Sequence, residues 1–68
     1  MKRIIDFSGR ISQGNGTSKY QVTWEGDWTE EELINFCDGG SYNYGGRIEG
    51  EKENEDGTKS GIVCVYYD

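Results

Sequence analysis

Apolar and polar residues alternate from the start of the chain. Ile5, Phe7, Gly9 and Ile11 take every second position, with Asp6, Ser8 and Arg10 between them, the pattern of a half-buried strand. Ser12-Gln13-Gly14-Asn15-Gly16-Thr17-Ser18 then forms a run of turn formers, in which Asn-Gly is the strongest short hairpin signal. Alternation resumes with Tyr20, Val22 and Trp24 on one side and Lys19, Gln21, Thr23 and Glu25 on the other. These two segments are expected to pair as an antiparallel hairpin.

Gly26-Asp27 breaks the second strand, and the period changes. Thr29-Glu30-Glu31-Glu32 fits a capping box, with Thr29 as N-cap and Glu32 at N3. Trp28 and Leu33 occupy the two positions of a hydrophobic staple. Three glutamates in the first turn complement the positive end of the helix dipole. Leu33, Phe36 and Cys37 are spaced i, i+3, i+4 and so share one face. Gly39-Gly40 supplies a left-handed residue to end the helix. The pattern predicts a helix over 30–38.

A glycine- and tyrosine-rich connection, Ser41 to Gly46, leads into Arg47-Ile48-Glu49. The run from Glu51 to Asp56 is strongly polar, and Asp56-Gly57 is a turn dipeptide. Gly61-Ile62-Val63-Cys64-Val65-Tyr66-Tyr67 is β-branched and aromatic, the composition of a largely buried strand. The expected fold is therefore α+β in the order ββαββ: a four-stranded antiparallel sheet with one short helix packed on one face.

Length adds that this is one unit. Sixty-eight residues at 7.7 kDa make a single α+β domain over 1–68. Hydrophobic content of 32% raises the question of disorder, but nine aromatic residues and the clear strand periods answer it in favour of a folded chain. Cys37 and Cys64 lie far apart and match no metal or redox spacing. They are expected as buried, reduced thiols, with a disulfide as the alternative. Met1-Lys2-Arg3-Ile4-Ile5-Asp6 lacks the apolar core of a signal peptide, and no stretch approaches the roughly 20 apolar residues of a membrane span. A cytoplasmic location, with no membrane partner, is expected.

The candidate chemistry points away from catalysis. No histidine is present, which removes the commonest general base and the commonest transition-metal ligand. Cys37 and Cys64 fall at positions suited to small core hydrophobes, without an activating base. The carboxylates are many, yet so short a chain leaves little material for the enclosed cleft a glycosidase-type pair needs. Glu51, Glu53, Glu55 and Asp56 do not follow an EF-hand pattern, and the glycine pairs are not followed by the Lys-Ser or Lys-Thr of a phosphate loop. The expectation is a non-enzymatic protein with no cofactor and no metal.

Charge is the informative feature. Seven Lys and Arg against thirteen Asp and Glu leave a net charge of −6, which argues against direct nucleic-acid binding. One acidic cluster surrounds the helix start, with Glu25, Asp27, Glu30, Glu31 and Glu32. A second comprises Glu49, Glu51, Glu53, Glu55 and Asp56. In an extended strand, alternate residues project to one side about 6.6 Å apart, close to the spacing of phosphates along a nucleic-acid strand, so a glutamate row fits a groove built for a phosphate backbone. Charged hairpins also serve solvation and edge protection. Tyr42, Tyr44 and Trp28 are aromatic residues of the kinds enriched at protein interfaces; roofing a thin core would occupy them equally well.

A compact, acidic, histidine-free chain of mixed helix and sheet resembles the small phage-encoded anti-CRISPR inhibitors. The resemblance is one of general character over the whole chain, with no shared motif. It implies binding to a bacterial nucleic-acid-handling defence complex and competition with DNA for a basic channel, in the host cytoplasm. The partner-binding candidates are then Glu49, Glu51, Glu53, Glu55, Asp56, Asp27, Glu30, Glu31 and Glu32, with Tyr42, Tyr44 and Trp28 as anchors. The alternative is a small protein-interaction or structural module that uses its aromatic face or sheet edge, as a monomer or a homodimer.

Overall fold

The computed structural model describes residues 2–39 and 43–67. Asn15 and Gly16 adopt φ of 51° and 76°, the two consecutive left-handed conformations that a tight hairpin turn needs. They join strand β1 (Arg3–Gly14) to strand β2 (Thr17–Glu25). Helix α1 (Glu30–Asp38) follows, then strands β3 (Gly46–Glu53) and β4 (Lys59–Tyr66). All neighbouring strands run antiparallel, in the order β1-β2-β4-β3. The most apolar strand, β4, thus lies inside the sheet, and β1 and β3 form its edges.

The expected helix signals act as physical chemistry predicts. Thr29 Oγ1 accepts from Glu32 N at 3.1 Å, and Glu32 Oε1 accepts from Thr29 N at 2.9 Å, so two otherwise orphaned donors are satisfied. Gly39, at φ 68°, donates its N–H to Asn35 O and ends the helix. Trp28 packs against the core from just outside the first turn.

The core lies on one face of the sheet. Tyr20, Val22 and Trp24 of β2 and Val63 and Val65 of β4 meet Leu33, Ile34 and Cys37 of α1. Gly46 lets β3 close up to β4 there: a Cβ at this position would sit 1.8 Å from Cys64 O, well inside any real contact. The opposite face is open, and the register assigns Lys19, Gln21 and Thr23, with Ile62, Cys64, Arg47 and Glu49, to it.

Two expectations about facing are corrected. The helix buries Ile34, at 4% exposure, in place of Phe36, which stays 40% exposed. A stripe read as Leu33, Phe36 and Cys37 is centred slightly wrong because α1 sits over β3 and β4, so the side toward β3 is the covered one. Nor does β1 keep its alternation. Its register against β2 shifts between Ile4 and Asp6, between Phe7 and Arg10, and between Arg10 and Ser12. Each bulge reverses the facing of the residues beyond it, and Ile5, Phe7 and Ile11 remain 44%, 38% and 52% exposed.

Candidate functional site

The ladder brings Asp27 of the first acidic segment to the same end as the second. Arg3 stands opposite Glu25, Trp24 opposite Lys59, and Lys59 opposite Glu53. The end of β2, the start of β4 and the end of β3 therefore share one end of the sheet. Asp27 follows directly on β2, and the β3–β4 turn with Glu55 and Asp56 lies just beyond Glu53. Asp27 and the β3–β4 turn thus share one acidic end, whereas Glu30 and Glu31 lie along β3 toward Ile48 and the Gly45-Gly46 backbone.

The carboxylates of the two segments differ in what they already hold. Asp27, Glu31, Glu53 and Glu55 are exposed and have no ion-pair partner among the described residues. Glu30 Oε2 accepts from Ile48 N at 3.2 Å, so it covers a donor on the β3 edge, the kind of group that otherwise recruits foreign strands. Glu32 completes the helix cap and pairs with Lys2. The Lys2 ammonium and the Thr29 backbone hold its carboxyl below the ordinary glutamate value. Asp56 Oδ1 accepts from Thr58 Oγ1 at 2.7 Å and from Thr58 N at 3.0 Å, and those bonds lower its pKa.

The glutamate row on β3 is not straight. Gly50 adopts φ 62°, and the register shifts between Glu49 and Lys52. Glu49 therefore shares a row with Ile62 and Gln21 on the open face, while Glu53 shares one with Lys59 and Trp24 on the helix side. Without the bulge, i and i+4 would face the same way. Glu49 is also neutralised within the fold: Arg47 Nη2 lies 2.5 Å and Lys19 Nζ 3.4 Å from its oxygens. Arg47 first and Lys19 second depress its pKa. Glu51 pairs with Lys59 at 3.8 Å.

The two described aromatic candidates, Tyr44 and Trp28, lie apart from one another. Tyr44 is 61% exposed, but its N–H donates to Tyr66 O at 2.7 Å, which places it at the far end of the sheet, where Tyr66 pairs with Thr17. Trp28 is half-buried, donates Nε1 to Glu25 O at 3.1 Å and carries Lys2 Nζ 5.0 Å above its ring. Tyr42 lies outside the described residues. Between α1 and the start of β3, Glu30, Glu31, Asn35 and Asn43 line an open groove of about 390 Å³ over the Gly45-Gly46 backbone. Its carboxylates and amide oxygens suit a cation rather than an anion.

Two features escape the sequence reading. Phe7 stacks on Tyr20 with ring centroids 5.8 Å apart and meets Phe36 edge-on at 5.1 Å, giving an exposed aromatic strip beside β1. Excess aromatic content signals such a strip, but its members depend on the β1 bulges. The second feature is Cys64, 1% exposed yet outside the helix-covered core. It lies on the open face in the row of Lys19 and Arg47. Burial and the nearby Glu49 carboxylate raise its pKa, and burial pushes the Cys37 thiol up to about 12. Neither thiol is a poised nucleophile at neutral pH.

Comparison with protein-family models, with curated proteins and with solved structures finds no match to this chain. Among the described residues no helix is long and apolar enough to cross a membrane, and no group of three or more metal-ligating side chains is present.

Proposed function

We propose that this chain is a non-enzymatic binding protein of the anti-CRISPR type, whose acidic end engages a basic nucleic-acid channel of a bacterial defence complex in the host cytoplasm. The observation that carries this reading is the register that places Asp27, just past β2, at the same end of the sheet as Glu53, Glu55 and Asp56, with Glu30 and Glu31 set further along β3. The mechanism is steric and electrostatic competition. Carboxylates occupy lysines and arginines that otherwise contact phosphates, so DNA cannot enter. Glu49, Glu51 and Glu32 contribute less, because Arg47, Lys19, Lys59 and Lys2 already compensate them.

The test is displacement of a fluorescent DNA duplex from a purified RNA-guided effector complex. The protein is expected to displace the duplex, with affinity falling as salt rises. The double substitution Glu53→Lys/Glu55→Lys is expected to weaken binding about tenfold or more, since each reversal places a cation against a cationic surface. Glu49→Gln is expected to change it little. Affinity that stays flat with ionic strength, or that ignores the double reversal, would count against the proposal.

A further inference from the structure

We propose that Asn54 is a positioning residue for the acidic end: its side chain pins the β3–β4 turn to the sheet and so fixes how Glu53 and Glu55 are presented. The inference rests on the reading of that end as the partner site. Exposure alternates through the turn, with Glu53 and Glu55 exposed and Asn54 half-buried between them. Asn54 Nδ2 donates to Thr58 Oγ1 at 3.0 Å and to Ser60 Oγ at 2.9 Å. Both hydroxyl residues are buried, and Ser60 Oγ lies 3.0 Å from Thr23 Oγ1 on β2. The backbone of Asn54 closes the same turn. Its N–H donates to Thr58 O at 2.7 Å, and its carbonyl accepts from Gly57 N at 3.1 Å. Four hydrogen bonds thus meet on one residue, and through Ser60 and Thr23 they tie the turn to both inner strands.

An amide suits this position and a carboxylate does not. From Glu51 to Asp56 every residue except Asn54 is charged. Thr58 Oγ1 has a single proton, and it goes to Asp56 Oδ1 at 2.7 Å. The hydroxyl therefore needs a donor on its other side, which an asparagine supplies and an ionised aspartate cannot. An aspartate at 54 would set two carboxylates competing for one proton and would take the N–H donor from Ser60 Oγ. The acidic run thus carries its one neutral side chain where the turn is held. Such order acts on affinity, because a turn already fixed in its bound shape avoids the entropy loss of ordering on contact. Encounter with a basic surface depends on total charge, whereas differences among variants of one interface fall mainly on the dissociation rate.

The test is the binding kinetics of the full chain on an immobilised, purified RNA-guided effector complex. Asn54→Ala keeps the net charge and is expected to leave the association rate unchanged while raising the dissociation rate about fivefold or more. Asn54→Asp adds a negative charge, which by electrostatics alone would tighten binding; it is expected to dissociate faster than the wild type. Ser60→Ala removes a buried hydroxyl from β4 and is expected to raise the dissociation rate about twofold or more through the lost Asn54 bond. Partial unfolding would instead lower the active concentration, and with it the apparent association rate, which separates positioning from loss of fold. Amide exchange at Gly57 and Thr58 is expected to quicken in Asn54→Ala with an unchanged circular dichroism spectrum. Dissociation of Asn54→Ala and Asn54→Asp no faster than that of the wild type would overturn this proposal and leave the partner reading standing. A wild-type chain that binds no effector complex would overturn that reading, and this proposal with it.

Discussion

Cys64 shows how little a residue's type says about its surroundings. On an open face a small apolar side chain would ordinarily be wet. Here it is 1% exposed, in the row of Lys19 and Arg47, which both reach for Glu49. Long cationic stems cover apolar surface while their heads stay in water, so an ion triad acts as a lid. Cys37 is enclosed differently, by the core under α1. Both pKa values are raised, chiefly by burial, and thiolate is the reactive form. Iodoacetamide at pH 8 is therefore expected to label neither thiol at an appreciable rate in the native protein, and both in denaturant, as mass spectrometry would report. Rapid native labelling of Cys64 would show that the lid opens readily.

At the level of elements, the helix depends on its first turn. Its last turn carries no basic residue, and Asp38 closes it, so the C-terminal dipole is uncompensated. The N-terminal end carries the compensating interactions: the reciprocal Thr29–Glu32 cap and three acidic residues. Thr29→Ala is expected to cost about 1 kcal/mol, read from urea denaturation. A loss below a few tenths would mean that core packing alone holds α1. The same helix also protects the sheet. Glu30 reaches the β3 edge at Ile48, while the bulges at β1 and at Gly50 break the outward regularity of both edges. A short sheet with two exposed edges stays discrete by such means.

The whole molecule is polarised. Its carboxylates concentrate at the β3–β4 turn and the helix start, β1 carries three of its exposed large apolar side chains, Ile5, Phe7 and Ile11, and its open face mixes Lys19, Arg47 and Glu49 in one ion triad. Acid should weaken it in a defined window. Glu32, Glu49 and Asp56 have folded pKa values below their ordinary 4.5, 4.5 and 3.8. The unfolded chain then binds more protons, so stability rises with pH through this range. Their contribution is complete above about pH 5 and disappears as pH falls through the depressed values. Thermal melts are expected to hold steady from pH 8 to about 5 and to fall below about 4.5. A midpoint that rises on acidification would mean that repulsion within the acidic end outweighs these bonds.

Much of the architecture was legible before any coordinates. The helix from Glu30 to Asp38, its cap, the Asn15-Gly16 hairpin and the inward set Tyr20, Val22 and Trp24 all rest on interactions within a few residues, and such interactions leave a periodic or spaced trace. Facing along β1, the choice of Ile34 over Phe36, and the split of Glu49 from Glu53 left none. Each arises where one strand slips against another, or where a helix settles on a sheet, and those are contacts between distant parts of the chain. The same holds for function. The acidic content belongs to the sequence, but that Asp27 shares one end with Glu53, Glu55 and Asp56, and that some members are already matched by cations, was decided by strand order. Local chemistry chooses the elements; only their pairing determines which charges and which aromatic rings face outward together.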